Sequence, residues 1–535
     1  MKKRIFALLS AAALLVPCLA SLAACGGNDS ILLRVYNWEE YIDEGGEGSY
    51  EYDYEVNEDG SAPSLVEDFE VWYEETYGTP VTVEYSTFGT NEDMYNQLKL
   101  GYTYDLLCPS EYMIMKLAAE DMLEPYSEDF FDESNELNYY VNNVSPFIKE
   151  KFDSNTMAVG SGEARWSEYA AGYMWGTTGL VYNPEYITEE QLELGWALML
   201  DESVKGKVTT KDNVRDSYFV GLAILFEEEL LDLKARHEAG ELSDQDYTAQ
   251  VTDYMNRTDE ETVAKVQQIL LDMKENLFGF ETDTGKHDMV TGTIWLNFAW
   301  SGDAVYAMDV AEDAEDGEGA VTLNYYMPEE SANLWFDGWV IPKDEKRTEE
   351  TKHAAEAFVN FLSAPENAVR NSYYIGYTSV IAGDEMFDYM ADTYSAEDGD
   401  ETATDYDLSY FFGEGDYVIS APAEQLERQL YAQYPPEEEM LRCAVMDYYG
   451  ENDERINELW TQIKGETLDA WAIGVICAAV VLIAVGVLYM KLGPKTDFFR
   501  HRPKKGYKKI SSVPVSYQKS VSYTHLRAHE TRRHL

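Results

Sequence analysis

The chain has 535 residues, with 40 Lys and Arg against 100 Asp and Glu, a formal net charge of −60. A field of that sign repels nucleic acid and draws in cations. Of the five cysteines, Cys18 and Cys25 fall near the N-terminus and Cys477 in an apolar run; the remaining two, Cys108 and Cys443, could pair, but nothing requires it.

Met1-Lys2-Lys3-Arg4 precedes an apolar run from Ile5 to Ala20, the pattern of a secretory leader. Leu22-Ala23-Ala24-Cys25 closes it and resembles a bacterial lipobox. That likeness implies cleavage after residue 24 and a lipid on Cys25. "ILLRVYNW" (31–38) then reads as a strand, "SLVEDFEVWYEETYG" (64–78) as a helix stopped by Gly78, and "PVTVEYS" (80–86) as a second strand. Residues 91–101 form a helix with another glycine stop. "YDLLCPS" (104–110) is a short buried strand whose Ser110 caps the helix that follows. The strand theme returns in "GTIWLNFAW" (292–300) and "LWFDGWVIP" (334–342), and 350–367 is an amphipathic helix. Segments 43–63, 227–257 and 382–438 look inserted; the second is charged and helical. Alternating strands and helices predict an α/β class with mainly parallel sheets, and about 440 residues exceed one ordinary core, so two lobes are expected. Ligands of such folds sit beyond the carboxyl ends of the strands.

Ala470 to Met490 carries no charge over 21 residues, and at ~1.5 Å per residue it spans a bilayer core. The 491–535 tail holds 12 Lys and Arg against two acids, a bias that belongs in the cytoplasm. Its last stretch, "SVSYTHLRAHETRRHL", does not match the rest and is set aside. Between Gly26 and Met490 there remain 25 basic and 98 acidic residues. Most of those acids read as solvated surface.

One acid does not. Asp337 stands between Trp335 and Trp339, and strand alternation puts all three on one face. A carboxylate between two indoles is costly to bury unless something cationic meets it. The blocks "VYNWEEYI" (35–42), "YDLLCPSEYM" (104–113), "YMWGTTGLVYN" (173–183), "KGKVTTKDNVRD" (205–216), "AWSGDAVYA" (299–307), "LWFDGWVIP" (334–342), "FVNFLSAPENA" (358–368) and "IGYTS" (375–379) occur in this order. Together they resemble the spermidine/putrescine-binding proteins of polyamine ABC transporters, over about residues 31–464.

The resemblance implies a type II periplasmic-binding fold: two α/β lobes, joined by crossing strands, with the ligand in the cleft. Lobe 1 would take 25–155 and 336–381, and lobe 2 would take 156–335 and 382–465. It implies ligand contacts at Trp38, Tyr41, Ser110, Tyr112, Asp216, Trp300, Trp335, Asp337 and Tyr377. Asp303 is a further candidate that also suits the first turn of a helix. The chemistry agrees, because aromatic walls suit methylenes and indole faces attract ammonium by ~0.5–2 kcal/mol. Trp339 is assigned to the core. Each contact has an ordinary alternative: strand tryptophans are commonly core, and Asp216 has Arg215 beside it. Asn213 stands where an acid is common in spermidine-preferring members, which leaves the preferred amine open.

The resemblance further implies permease and ATPase partners of an ABC transporter, no cofactor, no metal and no catalytic residue. The place is the extracytoplasmic side of a bacterial membrane, held by the lipid and by the 470–490 span. Rival readings are a binding protein of the same fold for a sugar or Fe(III), and a secreted glycosidase using acids with tryptophans.

Overall fold

The computed structural model describes residues 30–46, 48–50, 61–312, 321–397 and 399–465. The leader, Cys25, the 470–490 segment and the basic tail lie outside the described residues. Among the described residues no helix is long and apolar enough to cross a membrane.

The strands up to Ser379 are β1 (Ile31–Trp38), β2 (Val81–Phe88), β3 (Leu106–Leu107), β4 (Leu123–Glu124), β5 (Thr156–Val159), β6 (Gly162–Arg165), β7 (Ala170–Tyr182), β8 (Val208–Lys211), β9 (Gly279–Glu281), β10 (Leu296–Trp300), β11 (Asn324–Tyr326), β12 (Ala332–Pro342) and β13 (Thr378–Ser379). One large sheet runs β2–β1–β3–β12–β7–β10–β8–β9. Its two flanks are parallel: β1 lies between β2 and β3, and β8 between β9 and β10. Its middle is the antiparallel pair β7 and β12. Both middle strands are buried along their whole length, as near-continuous apolar runs demand. They alone carry the sheet from one parallel flank to the other. This is the mixed α/β arrangement, with long crossing strands, that the block order implies.

Helices follow the signals in the sequence. Leu65–Tyr77 starts at Ser64, which forms a capping box with Glu67, and stops at Gly78 in the left-handed region, φ 71°. Its Leu65, Phe69 and Tyr73 are buried at i, i+4 and i+8, and Phe69 packs edge-on against Phe358 of the helix Glu349–Leu362. The charged insertion is two helices, Glu227–Glu238 and Asp244–Met255. The 382–438 stretch, irregular in pattern, holds the helix Asp384–Tyr394 and a hairpin of Thr404–Asp407 with Val418–Ala421. The β5–β6 hairpin packs against the helix Glu111–Ala119. Cys108 and Cys443 are both buried and unpaired.

Candidate ligand-binding site

The parallel flanks end on Trp38 in β1, Lys211 in β8 and Trp300 in β10, and Lys211 Nζ lies 4.3 Å from the Trp300 ring centre. β12 passes beside them carrying Trp335 and Asp337, and β13, laid on Trp175 and Met174 of β7, delivers Tyr377. Two glycines permit the close approach. A Cβ at Gly302 would run into the Tyr377 ring, and one at Gly176 would run into Ser301 and Trp335.

Asp337 lies 7% exposed in this setting. The Tyr41 hydroxyl donates to its Oδ2 at 2.8 Å and the Ser110 hydroxyl to its Oδ1 at 2.7 Å. Among the described residues no Lys, Arg or His forms an ion pair with it. Burial pushes its carboxyl up to about 6 against the pull of the two hydroxyls. Trp335 is 6% exposed, donates Nε1 to the Thr177 carbonyl at 3.1 Å, and meets Tyr377 edge-on at 5.8 Å. Tyr377 in turn meets Tyr41 edge-on at 4.9 Å. Trp339, two residues past Asp337, packs on Tyr173 and Phe358 as a core residue.

Ser110 departs from its expected capping role. It stands at the N-cap of Glu111–Ala119 in an extended conformation, yet makes no cap hydrogen bond, because its hydroxyl serves Asp337. An N-cap bond is worth about 1 kcal/mol, and this one is given up for a carboxylate contact. Tyr112 is reached by the protein's own cation: the Arg215 guanidinium lies 4.3 Å from its ring and 3.6 Å from that of Tyr449. Arg215 is therefore not the partner of Asp216; its ion pair is with Asp453 at 3.6 Å. Asp216, 5% exposed, is pushed up to about 7 by burial, against a hydrogen bond from Trp300 and the charge of Lys211. Asn213, where the resemblance implies an acid in some members, caps the helix Val214–Leu225 by accepting from Arg215 and Asp216 backbone N–H.

Asp303 is built differently. It does sit in the first turn of the helix Ser301–Glu312. Lys211 Nζ donates to its Oδ2 at 2.7 Å, Lys286 Nζ lies 3.8 Å from Oδ1, and the Tyr377 hydroxyl donates to Oδ1 at 3.0 Å. Burial alone would raise this carboxyl, but the two ammonium groups outweigh it and hold it below the usual range. Lys211 is 1% exposed. It also donates to the Thr282 carbonyl at 2.7 Å, pairs with Glu281 at 3.4 Å and lies 4.3 Å from the Trp300 ring centre. Sequence reasoning missed Lys211, although it ends a parallel strand beside Trp300, where ligand sites form. Lys286, which pairs with Glu40 at 3.1 Å, was missed as well.

Trp38 is the least connected of the ten candidates. Its ring tilts onto Phe88 at 4.7 Å, and its Nε1 is buried without a hydrogen-bond partner among the described residues. The other nine join in one network of hydrogen bonds, ion pairs and ring contacts, Tyr112 by way of Asn91, which donates to both Ser110 and Tyr112. A separate acidic cavity of about 620 Å³, lined by Tyr182, Glu330, Glu439 and Arg442 among others, contains none of the ten.

The model of the bacterial extracellular solute-binding proteins matches residues 64–386. The chain belongs to that family. Members bind solutes for transporters and are not enzymes. A spermidine/putrescine-binding periplasmic protein of Escherichia coli is 25% identical over 380 residues, covering 70% of this chain and 84% of the relative. The putrescine-binding periplasmic protein PotF of the same species is 24% identical over 381 residues, covering 69% and 82%. Among solved structures, a putative spermidine/putrescine ABC transporter protein from Listeria monocytogenes superposes with a TM-score of 0.54 at 23% identity, covering 81% of this chain and 99% of that one. That likeness establishes the periplasmic-binding-protein fold of this solute-binding chain.

Proposed function

We propose that this solute-binding protein captures a polyamine, putrescine or spermidine, between Trp335, Tyr41 and Tyr377, with an ammonium on Asp337. The observation that carries the reading is Asp337 itself, a buried carboxylate with two hydroxyl donors, aromatic walls and no ion-pair partner among the described residues. An isolated buried charge of this kind is unfavourable, and a ligand's ammonium removes the penalty. The names of the relatives point to the same chemistry. Asp216, also buried and beside Trp300, is the second carboxylate for a second ammonium.

The lobes are assigned to 25–155 with 336–381 and to 156–335 with 382–465, meeting at β7 and β12. Hinge closure about such strands buries the ligand, and the closed form hands it to an ABC permease. A lipid on Cys25 and the 470–490 span hold the receptor at the membrane beside that permease, raising its effective concentration there.

Calorimetry on the full chain in detergent, with putrescine, spermidine, spermine, a sugar panel and Fe(III), tests the reading. Amine binding at micromolar or lower Kd is expected. Tight binding of a sugar or Fe(III) with no amine response would overturn it in favour of a different cargo on the same fold.

A further inference from the structure

Within the site, a line of contacts joins Asp337 to Asp216. Tyr41 bonds Asp337, its ring meets Tyr377, and Tyr377 donates to Asp303. Asp303 pairs with Lys211, and Lys211 lies over Trp300, whose indole bonds Asp216. The middle of that line holds an ammonium group that belongs to the protein.

The surroundings of Lys211 Nζ are those a ligand ammonium requires. An indole face lies at 4.3 Å, a carboxylate oxygen at 2.7 Å, a second carboxylate at 3.4 Å and a backbone carbonyl at 2.7 Å. A cation on an aromatic face beside a buried carboxylate is a general ammonium-binding arrangement. The carboxylates of the line thus divide into two kinds. Asp303 is neutralised by Lys211, with Lys286 behind it, while Asp337 and Asp216 form no ion pair among the described residues.

We propose that Lys211, paired with Asp303 over Trp300, fills one cation position of the cleft and makes the site selective for a diamine over a triamine. This rests on the polyamine reading and specifies it. Two unneutralised carboxylates match two ammonium groups. The third ammonium of a triamine meets a position already holding a positive charge, and like charges in a desolvated site repel strongly. Lys211 acts as a specificity residue by occupying the place, and Asp303 acts by holding it there.

Putrescine and spermidine are titrated calorimetrically into the full chain and into Lys211→Met, which keeps the length of the side chain and removes its charge. The parent is expected to bind putrescine at least about 10-fold tighter than spermidine. In Lys211→Met, Asp303 keeps only the more distant Lys286 at 3.8 Å, the 2.7 Å contact at its Oδ2 is open to an ammonium, and the ratio moves toward spermidine by about 10-fold or more. A double variant, Lys211→Met with Asp303→Asn, loses both charges and is expected to show no such gain for spermidine. A parent that binds spermidine as tightly as putrescine overturns the proposal without needing any variant to fold. So does a folded Lys211→Met whose ratio stays within about 3-fold of the parent. In both cases amines still bind and the polyamine reading stands. A parent that binds neither amine ends both.

Discussion

Asp337 and Asp303 are both buried, both beside Tyr377, and both within the same contact line, yet they are opposite in electrostatic state. Asp303 is held below the usual carboxylate range by two lysines, and Asp337 is pushed up to about 6 by burial. Burial is the first influence on each; what differs is the cation supplied by the chain. A carboxylate that the fold neutralises supports the structure, whereas on the proposed reading one left to hydroxyl groups takes its cation from a ligand. The sign follows for stability. Asp303 contributes stability that is present above the ordinary carboxylate pKa and lost as pH falls through its depressed value. Asp337 titrates the other way: its folded form gains relative stability as pH falls through about 6, and carries a penalty above it.

The comparison is broken most forcefully at Asp303. Asp303→Asn leaves Lys211 buried with Glu281 as its remaining carboxylate, and removing one partner of a buried pair costs about 3–5 kcal/mol. The unliganded melting temperature should fall accordingly in a thermal scan at pH 7.5. A melting point unchanged from the parent would show that the pair does not hold the site together. Asp337→Asn should do the reverse. It abolishes most amine affinity, by about 2–5 kcal/mol in a calorimetric titration, while the unliganded chain melts no lower than the parent. Equal destabilisation by both substitutions would erase the distinction drawn here.

Ser110 sharpens the same contrast with a smaller effect. Ser110→Ala removes one of the two hydroxyl donors to Asp337 without touching the backbone cap, so the carboxyl should rise above about 6. Putrescine should bind about 10-fold more weakly at pH 7, as expected for a hydrogen bond to a charged group. No change in affinity would mean that the Ser110 bond is incidental.

Most of this frame was legible in the residues. Hydrophobic runs located β1, β2, β10 and β12, and the Ser64 and Gly78 signals bounded the first helix. The aromatic and acidic blocks that resemble a polyamine-binding family also met in space, apart from the loosely connected Trp38. The cationic half of the site was not legible. Lys211 and Asp303 are 92 residues apart, and a lysine in a strand ordinarily reads as solvent-facing. Local spacing likewise offered Arg215 as an alternative partner for Asp216, but the helix turns the guanidinium toward Tyr112, Tyr449 and Asp453. Ser110 was legible as a cap, and only the third dimension reassigns its hydroxyl to a carboxylate 227 positions away.

The central claim is that a ligand ammonium meets carboxylates that the chain itself leaves unneutralised. Putrescine titrations of the full chain, run in buffers of different ionisation enthalpy, count protons directly. Asp337 and Asp216 stand at about 6 and about 7 without ligand, and each must ionise as an ammonium arrives. The account predicts release of about one proton per putrescine at pH 6.5 and almost none at pH 8. Binding with no proton released at either pH would mean that burial does not hold these carboxyls protonated before the amine arrives, and would contradict the account.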